Sequence, residues 1–330
     1  MKAFIVTHYG PDGLQEAEIP APTVGPNDVL VEVRAASINP LDKMVRNGEF
    51  KQLIKYKRPF VLGHDLSGVV TEVGADVRDF KLGDEVFSRP RDLRIGAFAE
   101  QIAIDAADVA LKPTSLSFEE AAAVPLVALA AWQALVDVAD VQPGQKVLVH
   151  AGAGGLGSTV IQLAAHLGAY VATTASPKDV DKVRALGAGE VIDYTAQDFA
   201  EVLSGYDVVL DSLGPANLEK SLTVLKPGGL AISVVGPPDS HFAAQLGQPL
   251  LKPVMAVLSR KVRRQAHKLG VRYSSLFMWA SGAQLSTLAA LYDDGTLRPV
   301  LDRTFPFTDT PDAMAYVEQG KANGKVVVTL

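Results

Sequence analysis

The sequence predicts an α/β protein in which a doubly wound parallel sheet is set between two stretches of a β-rich domain. Three features of the 330 residues carry this. Up to about residue 120 the chain offers short β-branched runs, Val29–Val33 and Val69–Val73 among them, broken by Pro26, Gly74, Lys81-Leu82-Gly83-Asp84 and Pro90, the spacing of an irregular barrel or sandwich. From about residue 122 the rhythm changes. Apolar strands at 146–150, 170–174, 190–193, 207–211 and 230–235 alternate with helix-length segments, which implies parallel βα units. From Gly295 to Leu330 the chain returns to a Pro-containing, strand-rich style. The expected division is therefore 1–121, then 122–277 for the inserted parallel-sheet domain, then 278–330 to complete the first domain.

Within the parallel-sheet region two helices are specified closely. After Gly155, the residues Leu156, Val160, Leu163, Ala164 and Leu167 recur on one helical face, and Gly168 ends the run. Ser176-Pro177 serves as N-cap and first-turn proline before Val180, Val183 and Leu186, with Gly187 as terminator. The run Val271–Met278 is expected to close the sheet.

Composition removes several classes of function. Without a single Cys the chain forms no disulfide, thiolate zinc site, iron–sulfur cluster or Cys nucleophile, so only His and carboxylates could hold a metal. A net charge of −6, from 31 Lys and Arg against 37 Asp and Glu, gives no general attraction to nucleic acid. The start, Met1–His8, has too short an apolar run for a signal peptide. The longest uncharged stretch, 121–136, is interrupted by Pro125 and Gln133 and falls short of the roughly 20 residues of a membrane span. No transmembrane segment is expected, and a cytoplasmic location is the default.

The strongest chemical signal is Val147-Leu148-Val149-His150-Ala151-Gly152-Ala153-Gly154-Gly155-Leu156-Gly157, with G-x-G-x-x-G at Gly152, Gly154 and Gly157. An apolar strand precedes it and an amphipathic helix follows, the context in which the first glycine makes the tight turn, the second admits a pyrophosphate and the third packs helix on strand. Gly155 and Leu156 stand at the start of the helix whose N–H groups would meet the phosphates. About 20 residues on, where an Asp or Glu would hold the ribose of NAD, the chain has Thr174, Ser176 and Lys178. Hydroxyls and an ammonium suit a 2′-phosphate, so NADPH is expected over NADH. Asp179 beside them speaks the other way.

The ordered series Ala36-Ser37-Ile38-Asn39-Pro40-Leu41-Asp42, Leu62-Gly63-His64-Asp65-Leu66-Ser67-Gly68, Gly83-Asp84-Glu85-Val86, the glycine turn, and Gly324-Lys325-Val326-Val327 resembles the medium-chain dehydrogenase/reductase superfamily. It looks most like the zinc-free quinone oxidoreductase and enone (alkenal/one) reductase branch. The resemblance runs from end to end. It implies a GroES-like catalytic domain plus a Rossmann domain, and a homodimer. Zinc members place a Cys where Asn39 stands and another near Pro125; His64 matches their zinc histidine but lacks a third ligand of known position, so a hydrogen-bonded role is expected for it. Asn39 and Asp42 match the family's Asn-x-x-Asp beside the nicotinamide, with Asn39 expected to place its amide near substrate or ribose and Asp42 to order that shell. Turn chemistry around Pro40 is the plainer reading of both. Met44 stands where many quinone reductases carry a Tyr, which leaves solvent, Lys43, Arg46 or His64 as proton sources. The same match assigns Tyr194 to the adenosine side of the cofactor, Val235 and Gly236 to a strand end facing the nicotinamide, and Asn323, Gly324 and Lys325 to a C-terminal segment that folds back toward it.

A quinone or an α,β-unsaturated carbonyl delocalises the charge left by hydride addition, so it needs no Lewis acid. Two other readings stay open on sequence alone: a metal-assisted alcohol dehydrogenase, and a low-turnover NADPH-binding protein with a membrane or RNA contact. The second is prompted by Lys252, Arg260, Lys261, Arg263, Arg264, Lys268 and Arg272, which lie in a stretch without any acid between Asp239 and Asp293. Such a cluster more often is a solvated helix face.

Overall fold

A computed structural model describes residues 1–245 and 249–330. The chain divides into two compact units, Met1–Leu129 with Ala280–Leu330, and Ala130–Trp279. Both breaks lie beyond the composition changes at 121 and 277. The apolar stretch after 121 stays with the first unit because Ala122 and Ala123 pack against Ala35 and Val327 and Leu126 N–H donates to Asp65 Oδ1 (2.8 Å).

In chain order the strands are β1 (Lys2–Val6), β2 (Leu14–Glu18), β3 (Asp28–Ile38), β4 (Phe60–Val61), β5 (Asp65–Val73), β6 (Glu85–Ser88), β7 (Gln101–Asp105), β8 (Val109–Leu111), β9 (Lys146–Val149), β10 (Tyr170–Ala175), β11 (Glu190–Asp193), β12 (Tyr206–Asp211), β13 (Leu225–Ser233), β14 (Arg272–Ser275), β15 (Leu301–Pro306) and β16 (Lys325–Thr329). The first unit holds a three-stranded sheet, β2-β1-β4, and a larger one, β15-β16-β3-β5-β6-β8, with β7 also paired to β3. The long strand β3 is central to it. Val29, Val31 and Val33 on one face join Phe4, Leu66, Val86, Phe98 and Ile104 in the core. The tail strand β16 pairs antiparallel with β3, Val327 opposite Ser37, so the C-terminus does complete the β-rich unit.

The second unit is one six-stranded parallel sheet in the order β11-β10-β9-β12-β13-β14. This is the doubly wound order, with β9 and β12 flanking the point where the winding reverses. The helix after the glycine turn, Gly155–His166, buries Val160, Leu163 and Ala164 of the expected stripe, leaves Leu156 and Leu167 half-buried, and buries Ile161 as well, because its middle turns are covered on more than one face. The expected closing strand is present but short, Arg272–Ser275.

At the end of β9 the sheet buries His150. Ala151 N–H donates to Thr174 Oγ1 (3.1 Å), which lies 3.3 Å from His150 Nδ1; His150 Nε2 lies 2.8 Å from Ser221 Oγ, which donates to Asn217 O (2.7 Å). Only a neutral imidazole with its proton on Nε2 satisfies every group in this chain. Burial holds the ring down to about 4 from 6.5. Between these two values the unfolded chain takes up a proton that the folded chain does not, so stability is complete above about 6.5 and falls as the pH drops toward 4. The gap corresponds to about 3 kcal/mol. Urea unfolding followed from pH 7 to pH 4 is expected to show this loss, and His150→Gln to remove that part of the slope.

Candidate active site

The second unit brings its candidate residues to one edge. Because all six strands are parallel, the turn after β9, the end of β10, Tyr194 after β11 and Val235-Gly236 after β13 share the carboxyl-terminal edge of the sheet. Ala151 begins the turn in the left-handed region, φ +52°. A Cβ on Gly152 would stand 2.1 Å from Thr173 Oγ1, and one on Gly157 would stand 2.3 Å from Ala151 O. Packing of strand, turn and helix demands those two glycines. A Cβ on Gly154 would meet only Ala151 O, at 3.3 Å. Its bareness keeps the outer side of the turn open, as a pyrophosphate requires. Gly154 is the N-cap and offers no side chain, so the first N–H groups of the Gly155–His166 helix, those of Gly155, Leu156 and Gly157, have no acceptor within the helix.

The end of β10 differs from the expectation in one respect. Thr174 is buried, and its hydroxyl accepts from Ala151 N–H while its carbonyl accepts from Gly152 N–H (3.0 Å). It clamps the glycine turn instead of facing outward, because β10 lies directly beside β9. Ser176 Oγ donates to Asp179 Oδ2 at 2.5 Å, and Lys178 is exposed. A further cation went unnoticed in the sequence: Lys182 Nζ donates to Ala153 O (3.2 Å), bringing an ammonium to the turn itself. Its position four residues after Lys178 was the available signal. Tyr194 is 62% exposed. Ser233 Oγ donates to Asp211 Oδ2 (2.7 Å) and Tyr273 Oη to Pro237 O (2.7 Å), which braces the strand end carrying Val235 and Gly236.

The first unit holds a second cluster. Asn39 ends β3's run and caps the Pro40–Arg46 helix, whose Asp42 accepts the Asn39 N–H on Oδ2 (2.7 Å). The turn reading of these residues is therefore real, and it coexists with a buried network. Asp42 Oδ1 holds His64 Nδ1 at 2.6 Å. Asp65, opposite Ser37 across β3 and β5, accepts on Oδ2 from Asn39 Nδ2 (2.9 Å), Ser37 Oγ (3.0 Å) and Lys325 Nζ (3.3 Å). Lys325 Nζ also donates to Asn39 Oδ1 at 2.5 Å. Lys325 follows Gly324, at φ +140°, where a Cβ would stand 2.6 Å from Val300 O. Its ammonium lies inside the β-rich unit, against Asn39, while Asn323 is half-buried. Burial pulls the Lys325 ammonium below the usual lysine range, and the charges of Asp65 and Asp42 oppose that pull. His64 is fully buried, and its Nε2 has no partner among the described residues. The sequence also gave no notice of Tyr56, a phenol stacked on Phe60 (4.7 Å between centroids) that burial and the charges of Asp92 and Asp42 keep protonated.

Residues 25–114 match the alcohol dehydrogenase GroES-like domain, and residues 186–328 match the family described as zinc-binding dehydrogenase. The mitochondrial NAD(P)H oxidoreductase RTN4IP1 of Mus musculus is 36% identical over 329 residues, which cover 92% of this chain and 82% of that protein. The chain belongs to the medium-chain dehydrogenase/reductase superfamily, in its quinone oxidoreductase and alkenal/one reductase branch. The chloroplastic NADPH-dependent alkenal/one oxidoreductase of Arabidopsis thaliana is 34% identical over 343 residues, covering 99% of this chain and 79% of that one. The quinone oxidoreductase from Coxiella burnetii superposes with a TM-score of 0.87 at 31% identity, covering 100% of this chain and 99% of that structure. The protein is an NAD(P)H-dependent oxidoreductase of this superfamily.

A zinc ion does not fit the residues present. Among the described residues no group of three or more His, Asp or Glu side chains is placed to hold a metal. His64 has one ring nitrogen committed to Asp42, and Asp65 already receives four donors, one of them an ammonium. The Lys325 charge would repel a cation entering beside Asp65.

The glycines separate folding from binding. Gly152→Ala and Gly157→Ala are each expected to cost about 1–3 kcal/mol of stability through overpacking. Gly154→Ala is expected to melt close to the parent while weakening NADPH binding roughly tenfold, read by thermal unfolding and fluorescence titration.

Proposed function

We propose that the protein is a zinc-independent reductase that uses NADPH to reduce a quinone or an α,β-unsaturated carbonyl compound. The observation that carries this reading is the buried Asp42–His64 pair beside Asn39, which offers hydrogen-bond donors and a proton where a metal-dependent dehydrogenase needs three ligands. When bound, NADPH supplies the hydride. The glycine turn and the N–H groups of Gly155, Leu156 and Gly157 bind its pyrophosphate, and the exposed ammonium of Lys178, with Ser176 beside it, meets the 2′-phosphate. Tyr194, Val235, Gly236 and Asn323 complete this assignment on the family's pattern.

On the acceptor side, hydride addition leaves negative charge on a conjugated oxygen, which hydrogen bonds can stabilise without a Lewis acid. Asn39 is held rigidly by Lys325 on its oxygen and by Asp65 and Ser37 O on its amide, so its part is to hold this polar cluster in place. Nδ1 of His64 is held by Asp42, which leaves Nε2 as the ring atom to pass a proton to the reduced acceptor. Arg46, another expected proton source, is held by Glu318 at 2.8 Å and by Asn47, which favours His64 over it. The family's homodimer belongs to this reading and is checked by light scattering.

Turnover of NADPH and NADH against 1,4-benzoquinone, 9,10-phenanthrenequinone, acrolein, a longer 2-alkenal, a cyclic enone and a simple alcohol tests it. Reduction of at least one conjugated acceptor with NADPH preferred, unaffected by dialysis against a chelator, is expected; reaction of the alcohol alone would dismiss it. His64→Gln should lower kcat about 100-fold and leave the Kd of NADPH within about twofold. Asn39→Ala should likewise lower kcat more than it weakens NADPH binding. Lys178→Ala should cut the preference for NADPH over NADH about tenfold in kcat/KM.

A further inference from the structure

The helices Lys252–Leu258 and Arg260–Lys268 belong to neither cluster above. They meet at Ser259, whose N–H donates to Met255 O (3.0 Å) and whose carbonyl accepts from Arg263 N–H (3.0 Å), so the helical rise continues across the joint. Met255, Ser259, Val262 and Ala266, three or four residues apart, form the one buried stripe. Lys261 is tied to Glu219 at 2.5 Å.

Two stripes are left facing outward. Ala256, Arg260, Arg263, Arg264, His267 and Lys268 line a hollow of about 510 Å³. Among the described residues no carboxylate pairs with Arg260, Arg263, Arg264 or Lys268, and the sequence supplies no acid anywhere between Asp239 and Asp293. Beside this runs an aliphatic stripe, Leu250 (91% exposed), Val254, Val257 (69% exposed) and Leu258. At about 100° per residue from Lys252 onward the two stripes occupy adjoining sectors of the outward half of the helix surface, and Leu250 extends the aliphatic one from the 3-10 turn before it.

We propose that this face docks the protein on an anionic phospholipid surface. Unpaired cations attract phosphate headgroups, and four aliphatic side chains at helical spacing enter the boundary of the acyl layer, a combination suited to a helix lying in the interface plane. Each stripe needs the other. Basic residues alone fit any polyanion, whereas exposed aliphatics have no counterpart on a free phosphate. RNA binding rests on base stacking in addition to charge, and neither outward stripe contains a Phe, Tyr or Trp. With no helix among the described residues long and apolar enough to cross a membrane, the contact is peripheral.

Co-sedimentation of the 330-residue chain with vesicles of phosphatidylcholine, alone or mixed in about equal parts with phosphatidylglycerol, tests the assignment. Binding is expected to the mixed vesicles only, weakened by salt. Arg260→Glu with Arg263→Glu and Arg264→Glu, and separately Val257→Ser with Leu258→Ser, should each weaken it at least tenfold or so. All five side chains are exposed, so unchanged thermal unfolding accompanies these losses. Equal binding to neutral vesicles, or no binding to anionic ones, overturns the proposal. So does release by a short RNA or inorganic phosphate with the serine variants still bound, which assigns the face to a polyanion. Conversion of a dimer to a monomer by the serine variants overturns it too, assigning the aliphatic stripe to a second copy. Vesicle binding is read without turnover, and NADPH oxidation by a soluble acceptor is read without lipid, so each result stands independently of the other.

Discussion

Taking an ammonium out of water costs several kcal/mol unless its charge and its donors are matched. Lys325 is matched on both counts. Asp65 supplies the charge, Asn39 Oδ1 the short hydrogen bond, and Asp42 a second negative charge nearby. The arrangement links the last strand of the chain to the end of β3 and to β5, three segments far apart in sequence. It also fixes Asn39 from two sides, so the residue that caps a short helix becomes a rigid polar group in a buried setting. Position is what such a cluster specifies, since buried ion pairs in general add little net stability over apolar packing.

The same cluster is why a zinc ion does not fit the residues here, although the matching family is described by zinc. A metal ion would bring positive charge and polarise a carbonyl. Here positive charge beside Asp65 is already built in as Lys325, and His64 is turned toward Asp42. On the proposed reading, alignment and hydrogen bonding carry catalysis, with an acceptor that itself spreads the incoming charge.

In the parallel-sheet unit the constraint is steric. Thr173 and Thr174 on β10 close over the first half of the glycine turn, His150 supports Thr174 from beneath, and Lys182 holds Ala153 from the next helix. The turn is thus shaped by its neighbours before any ligand arrives, so binding need not be opposed by ordering it. Positive charge serves a different purpose in each region. It is buried and paired at Lys325, aimed at the turn at Lys182, and, among the described residues, exposed without a carboxylate partner at Arg260, Arg263, Arg264 and Lys268.

Much of this was legible in the residues. The change of rhythm near 122, the glycine turn followed by a helix with one buried stripe, and the return to strands after Gly295 depend on local spacing, and the parallel sheet and the pairing of β16 with β3 follow that pattern. Asn39 and Asp42 were recognisable by motif. Whether Thr174 faces outward or clamps the turn, however, depends on which strand lies beside β10, and the company Lys325 keeps depends on β16 pairing with β3. Spacing along the chain therefore determined the elements, the turn and the candidate residues. Only the tertiary structure decided which polar groups are consumed by one another and which stay open, because hydrogen bonding and desolvation depend on neighbours through space.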